Sequence, residues 1–155
     1  MSETTNFHSR IRQVEAIQHG TVIDHIPGHL TLQVATLLAS PDDHLLIGVN
    51  FRSKTLGRKG VVKITGRELP DSVVSRLALI APDVTLSIIR DYEVVRKETI
   101  QTPSVFEGIA RCPNPNCITN HDACTTKFSV LEKKPLKVQC RYCERVFPGT
   151  ELKLV

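Results

Sequence analysis

Five cysteines fall between positions 112 and 143, and none occurs in the first 111 residues. They run Cys112-x4-Cys117, then Cys124, then Cys140-x2-Cys143. Two close pairs separated by 22 residues have the spacing of a four-thiolate zinc site. One tight turn can place two sulfurs on one side of an ion, and a second turn, carried over by a hairpin, supplies the other two. Proline and asparagine fill the first turn (Cys112-Pro113-Asn114-Pro115-Asn116-Cys117) and Arg141-Tyr142 the second. Two disulfides would suit an exported chain, but they leave an odd cysteine, and MSETTNFHSR has no apolar leader core. The expectation is a cytoplasmic protein holding one structural zinc on Cys112, Cys117, Cys140 and Cys143, with Cys124 a bystander. Four thiolates leave no open position for water, so such a centre is not hydrolytic.

No other cluster has catalytic spacing. There is no glycine-rich phosphate loop, no nucleophile elbow and no HExxH pair among the six histidines. Asp24 and His25 are adjacent, and adjacent strand residues point to opposite faces. Two lysines stand out. Lys63 interrupts the apolar strand VVKIT, and Lys97 ends VVRK. A half-buried lysine needs an anionic partner or loses its charge. If the strands carrying them flank the first strand, the two ammonium groups converge on a phosphorylated ligand.

The elements that must position these groups follow from periodicity. Residues 1–12 are polar and aperiodic, an N-terminal tail. QVEAIQH (13–19) alternates as a strand, Gly20 breaks it, and TVIDHI (21–26) is β-rich up to Pro27. LTLQVATLLAS (30–40) has helical spacing. LLIGVNF (45–51) and VVKIT (61–65) form a hairpin around a basic turn. A second helix runs from Pro70-Asp71 to Ala81-Pro82, and VTLSIIRDYEVVRKE (84–98) is a long β run kinked near Asp91. The order β, α, β, β, α, β predicts an α+β fold, a ferredoxin-like βαββαβ sandwich over residues 13–98. Residues 99–103 read as a linker, and 104–155 as a small all-β zinc-binding domain. About 50 residues make too small a core to be secure alone, so the metal supplies folding free energy. The apolar strand at 45–51, placed at a sheet edge, invites pairing with a second copy.

The stretches QVEAI and GTVIDHIP (13–27), GRK with VKI (57–64), YEVV before Lys97, and CPN.NCI with C.YCE (112–118, 140–144) together resemble the regulatory chain of aspartate carbamoyltransferase. The resemblance implies a non-catalytic allosteric subunit of pyrimidine biosynthesis that binds CTP and UTP as inhibitors and ATP as activator. It implies a homodimer joined through the N-terminal domains, and a zinc domain that grips the catalytic chain. Carried onto this sequence, Asp24 and Lys63 hold the ribose, and His25 and Lys97 meet the phosphates. Main-chain groups around Val14, Ile17, Tyr92 and Val94 read the base, with Lys59 a secondary candidate. Asn114, Asn116 and Glu144 touch the catalytic chain. Arg96, where the family can have glycine, would add a cation near the phosphates. Ser87 is given no role.

The competing reading is a nucleic-acid-binding protein built from a ferredoxin-like sheet and a zinc ribbon. The chain has 155 residues, 20 basic and 16 acidic, for a net charge of +4. That excess is small for a polyanion binder, there is no tryptophan, and the strands lack a stacking platform. No apolar run approaches the length needed to span a bilayer.

Overall fold

The computed structural model describes residues 16–155. The first sheet is antiparallel, with strands β1 (Gly20–Pro27), β2 (His44–Ser53), β3 (Gly57–Thr65), β4 (Thr85–Arg90) and β5 (Glu93–Thr99) in the order β2-β3-β1-β4-β5. Helices α1 (Thr31–Leu38) and α2 (Asp71–Ile80) lie between β1 and β2 and between β3 and β4 in the chain. The first four strands and two helices make the expected ferredoxin-like sandwich. Both helices pack on one face of the sheet. Val34, Ala35 and Leu38 of α1 and Leu77 and Ala78 of α2 close over Ile23, Val62, Ile64, Leu86 and Ile88. Residues alternate along a strand, so Val22, Lys63, Ser87 and Lys97 are left on the other face.

The helices begin and end for local reasons. Thr31, fully buried, turns its hydroxyl back onto the Gly28 carbonyl at 3.0 Å and so fixes the start of α1. Asp71 places a carboxylate in the first turn of α2, where the helix dipole favours it. Pro82 forces Ala81 out of helical geometry and closes that helix.

Three expectations are corrected. Residues 16–19 are not strand, and Gly20 opens β1 rather than breaking one; residues 13–15 lie outside the described residues. The run 84–98 is not one kinked strand. Asp91 and Tyr92 both have positive φ, and the chain reverses there into a hairpin that adds a fifth strand. Arg96 does not flank the lysine face. It lies opposite Ile88, whose side chain is in the core, and pairs with Glu98 at 2.9 Å.

Within residues 99–103, Ile100 and Thr102 are packed while Thr99 and Gln101 are exposed. Ile100 is buried in the first core and donates its N–H to Val84 O at 2.8 Å. Thr102, also buried, donates its hydroxyl to Ala78 O at 3.4 Å. Beyond them, β6 (Val105–Glu107), β8 (Lys127–Lys133), β9 (Leu136–Cys140) and β10 (Val146–Pro148) form a second sheet in the order β10-β9-β8-β6. The strands β7 (Ala110–Arg111) and β11 (Lys153–Leu154) pair with each other. A second core gathers Phe106, Phe128, Val138 and Phe147 around three of the cysteines. Leu79 of α2 reaches into it, and Lys134 forms an ion pair with Asp83, so the two units are in contact.

Candidate functional sites

The turns at 112–117 and 140–143 bring four sulfurs together as the spacing requires. The Sγ atoms of Cys112, Cys117, Cys140 and Cys143 all lie within 4.8 Å of one another. Cys112 and Cys143 are 3.8 Å apart, and Cys117 and Cys140 are 3.7 Å apart. A tetrahedron with arms of about 2.3 Å has edges of about 3.8 Å, so the sulfurs stand where a zinc-sized ion would hold them. They are too far apart for disulfides, which need about 2.05 Å.

The surroundings suit a metal and little else. Burial drives the Cys112 and Cys140 thiols up, against the pull of backbone N–H groups from Asn114 and from Cys143 and Tyr142. At Cys117 burial also raises, but the Thr119 hydroxyl and N–H and the neighbouring sulfurs outweigh it and bring the thiol to about 7. The Thr119 hydroxyl donates to Cys117 Sγ at 3.2 Å. These N–H and O–H donors aim at sulfur, the orientation that stabilises metal-bound thiolates. Asn114 is buried and accepts the Asn116 N–H at 3.1 Å, which fixes the first turn. Glu144 takes positive φ, so the second turn can close directly after Cys143. Cys124 is outside the cluster and half-buried.

The open face of the first sheet carries a second site. Val22 stands opposite Lys63 on one side and Ser87 on the other, and Ser87 stands opposite Lys97. The row Lys63–Val22–Ser87–Lys97 thus crosses β3, β1, β4 and β5. Three strand spacings separate the lysine backbones by about 14 Å. Lys97 lies on β5, two strands from β1, so the lysines do not flank the first strand as expected. They face the same side from further apart. Beside this row is a cleft of about 430 Å³ with a floor of Val22, Val61, Ile89 and Val94. Asp24, Lys59, Lys63 and Ser87 line it, and Phe51 and Arg52 of β2 close one end.

Asp24 is held in place there. Lys59 Nζ meets its two carboxylate oxygens at 2.9 and 3.1 Å, and the His25 N–H donates to it at 2.6 Å. Burial alone would raise the Asp24 pKa. The Lys59 hydrogen bond and charge and the His25 N–H more than offset that and hold it below the ordinary carboxylate value.

A bulge in β1 between Ile23 and Ile26 separates the neighbours Asp24 and His25. His25 takes positive φ, and its Nδ1 is 3.2 Å from the Thr85 hydroxyl. Its ring lines a different cavity of about 550 Å³, shared with Leu56, Asp83 and Lys134. Of the residues expected at a nucleotide, Asp24, Lys63 and Val94 share the cleft. Lys97 stands on the same face, and Tyr92 is at the exposed tip of the β4–β5 hairpin. Ile17 is half-buried just before β1, and Val14 lies outside the described residues. Phe51, Arg52 and Ser87 were not expected in the cleft. Ser87 had a signal, a lone polar residue in the apolar run LSII; Phe51 and Arg52 depend on the β2 bulge, which sequence alternation does not show.

Comparison with known proteins covers both halves. Residues 12–101 match the family model described as aspartate carbamoyltransferase regulatory chain, allosteric domain. Residues 104–153 match the one described as aspartate carbamoyltransferase regulatory chain, metal binding domain. The chain is 49% identical over 144 residues to the aspartate carbamoyltransferase regulatory chain of Pyrococcus abyssi, covering 90% of this chain and 95% of that one. It is 45% identical over 145 residues to the protein of the same name from Phocaeicola vulgatus, covering 92% and 94%.

Proposed function

The chain belongs to the aspartate carbamoyltransferase regulatory chain family, and from that premise we propose that it is a non-catalytic subunit that binds nucleoside triphosphates and transmits their binding to a catalytic chain. CTP and UTP are the inhibitors and ATP the activator. The observation that carries this reading is the lysine row across the open sheet face, with the Asp24–Lys59 pair at its side.

The cleft suits such a ligand. An apolar floor of valines and isoleucine accepts a base and ribose, and two lysines on one face neutralise a polyphosphate. Asp24 is charged, acceptor-only and already oriented by Lys59, so it can receive ribose hydroxyls. Main-chain groups near Ile17, Tyr92 and Val94 distinguish base edges by their donor and acceptor pattern. A phosphate contact from His25 requires its ring to rotate away from Thr85 on binding.

The four-cysteine centre holds zinc, which supplies structure and no chemistry. Around it Ile118, Tyr142 and Val146 are exposed apolar groups suited to docking on the catalytic chain, with Asn116 and Glu144 beside them. Asn114 serves that contact from below, by shaping the turn that presents Asn116. The edge strand β2 exposes Ile47 and Val49 and supports pairing of two regulatory chains. Allostery then requires only that nucleotides bind the quaternary states of the assembly unequally.

Calorimetric titration with CTP and ATP tests the site. Lys63→Ala and Lys97→Ala each weaken binding by about tenfold or more, the loss expected of a charge-assisted contact. Unchanged affinity in both variants rejects the cleft as the nucleotide site.

A further inference from the structure

The tip of the β4–β5 hairpin holds two consecutive non-glycine residues at positive φ, Asp91 at 51° and Tyr92 at 65°. Two-residue hairpin loops of this kind ordinarily use Asn-Gly or Asp-Gly. Left-handed backbone at a bulky residue such as tyrosine persists only where its surroundings hold it. Arg90 and Glu93 pair across the turn, so the two central N–H groups are left pointing out of the ladder.

Both are taken up by the segment that enters β1. The Asp91 N–H donates to His19 Nδ1 at 3.3 Å. The Tyr92 N–H donates to Gln18 O at 3.0 Å. The carbonyl of His19 in turn accepts the Gly66 N–H at 2.8 Å, so residues 18–19 clamp the hairpin tip to the end of β3. Accepting at Nδ1 puts the imidazole proton on Nε2, which is 3.7 Å from an Asp91 carboxylate oxygen. The nearby charged groups are engaged elsewhere. Arg90 pairs with Glu68 at 2.6 Å, and Arg67 with Asp43 at 2.6 Å.

This clamp fixes the backbone that leads into the cleft. Val94, two residues beyond Tyr92, lines it beside its cross-strand partner Ile89. A site that reads a base through donor and acceptor pattern discriminates only if those groups are held in place. We propose that His19 is a positioning residue for nucleotide specificity. Through its Nδ1 acceptor it sets the Asp91–Tyr92 turn, and through that turn the main-chain groups at 92–94 that tell amino-bearing bases apart. It does so without touching the nucleotide. The inference rests on the reading of the cleft as a nucleoside triphosphate site.

The test uses the full chain and three variants. Asparagine carries an oxygen as many bonds from Cα as histidine Nδ1, so His19→Asn keeps the acceptor. His19→Gln carries its oxygen one bond further out, and His19→Ala removes it. CTP and ATP affinities are measured by calorimetry, and exchange of the Asp91 and Tyr92 amides by NMR. The expected result is a shift of about fivefold in the CTP-to-ATP affinity ratio for His19→Ala and His19→Gln, the size of one lost hydrogen bond. His19→Asn stays within about twofold of the parent. Amide exchange at Asp91 quickens in the first two variants only. An unchanged ratio in His19→Ala, or a ratio that shifts alike in all three, overturns the proposal. Quicker exchange with an unchanged ratio also overturns it and leaves His19 a purely structural clamp. If His19→Ala does not fold, the contrast between asparagine and glutamine decides. A parent chain that binds neither nucleotide refutes the cleft reading itself. One that binds both without preference refutes only the role of His19.

Discussion

Removing the metal should unfold the C-terminal module and leave the N-terminal one standing. The second core has nine buried residues, and three of them are Cys112, Cys117 and Cys140. These sulfurs lie within 4.8 Å of Cys143 and of one another, a spacing that four sulfurs keep only with a cation among them. As thiolates they repel, and as thiols they leave the N–H and O–H donors aimed at them poorly matched. A module of about 50 residues has a stability of roughly 3–8 kcal/mol on the usual per-residue scale. Structural zinc in small finger peptides contributes about 10–16 kcal/mol at neutral pH, so its loss exceeds the whole stability of the module. The assay is hydrogen exchange by mass spectrometry before and after chelation, with metal content measured in parallel. Peptides spanning β8 and β9, which carry the fully buried Phe128 and Val138, should lose their protection. Peptides from β1 and β3, which carry Ile23, Val62 and Ile64, should keep most of theirs. Acidification should act in the same direction, because protons compete with the ion for the four thiolates. Undiminished protection at Phe128 and Val138, with metal shown to be absent, would refute the reasoning.

Two further outcomes follow from the N-terminal domain. At Gly60 an added Cβ would stand 1.8 Å from the hydroxyl of the fully buried Thr31. Gly60→Ala should therefore destabilise by about 1–3 kcal/mol, read from the urea midpoint; an unmoved midpoint contradicts the packing described. Asp24 has a folded-state pKa below its ordinary value, so its contribution is present above that ordinary value and is lost as pH falls through the folded one. Asp24→Asn should accordingly cost about 1 kcal/mol at neutral pH, and the difference from the parent should vanish in acid. Urea titrations across that range check it, and a difference independent of pH would show that the Lys59 pair carries no such linkage.

Much of this was legible in advance because it is local. Helices α1 and α2 are where the 3.6-residue pattern and Pro70, Ala81 and Pro82 put them. The hairpin between β8 and β9 is where Lys134-Pro135 predicts a reversal, and the clustering of four cysteines follows from their spacing. The misreadings share one cause: each concerns backbone held by contacts distant in sequence. Asp91-Tyr92 lacks the glycine that announces a two-residue turn, and its left-handed conformation is held by Gln18 and His19, more than 70 residues earlier. Residues 99–103 have the look of a linker, but Ile100 and Thr102 find buried partners at Val84 and Ala78.

The sequence by itself determined the family, the two matched segments and which four of the five cysteines cluster. Each of these depends on residue type and short-range spacing, which chain connectivity preserves in any fold. Only the tertiary structure decided how the groups meet. It put Lys97 two strands away from β1, turned His25 into a different cavity from Asp24, and brought Phe51 and Arg52 to the cleft. Those outcomes depend on strand register and on the bulges in β1 and β2. A one-residue shift reverses which face a side chain occupies, and no local pattern in the sequence announces it.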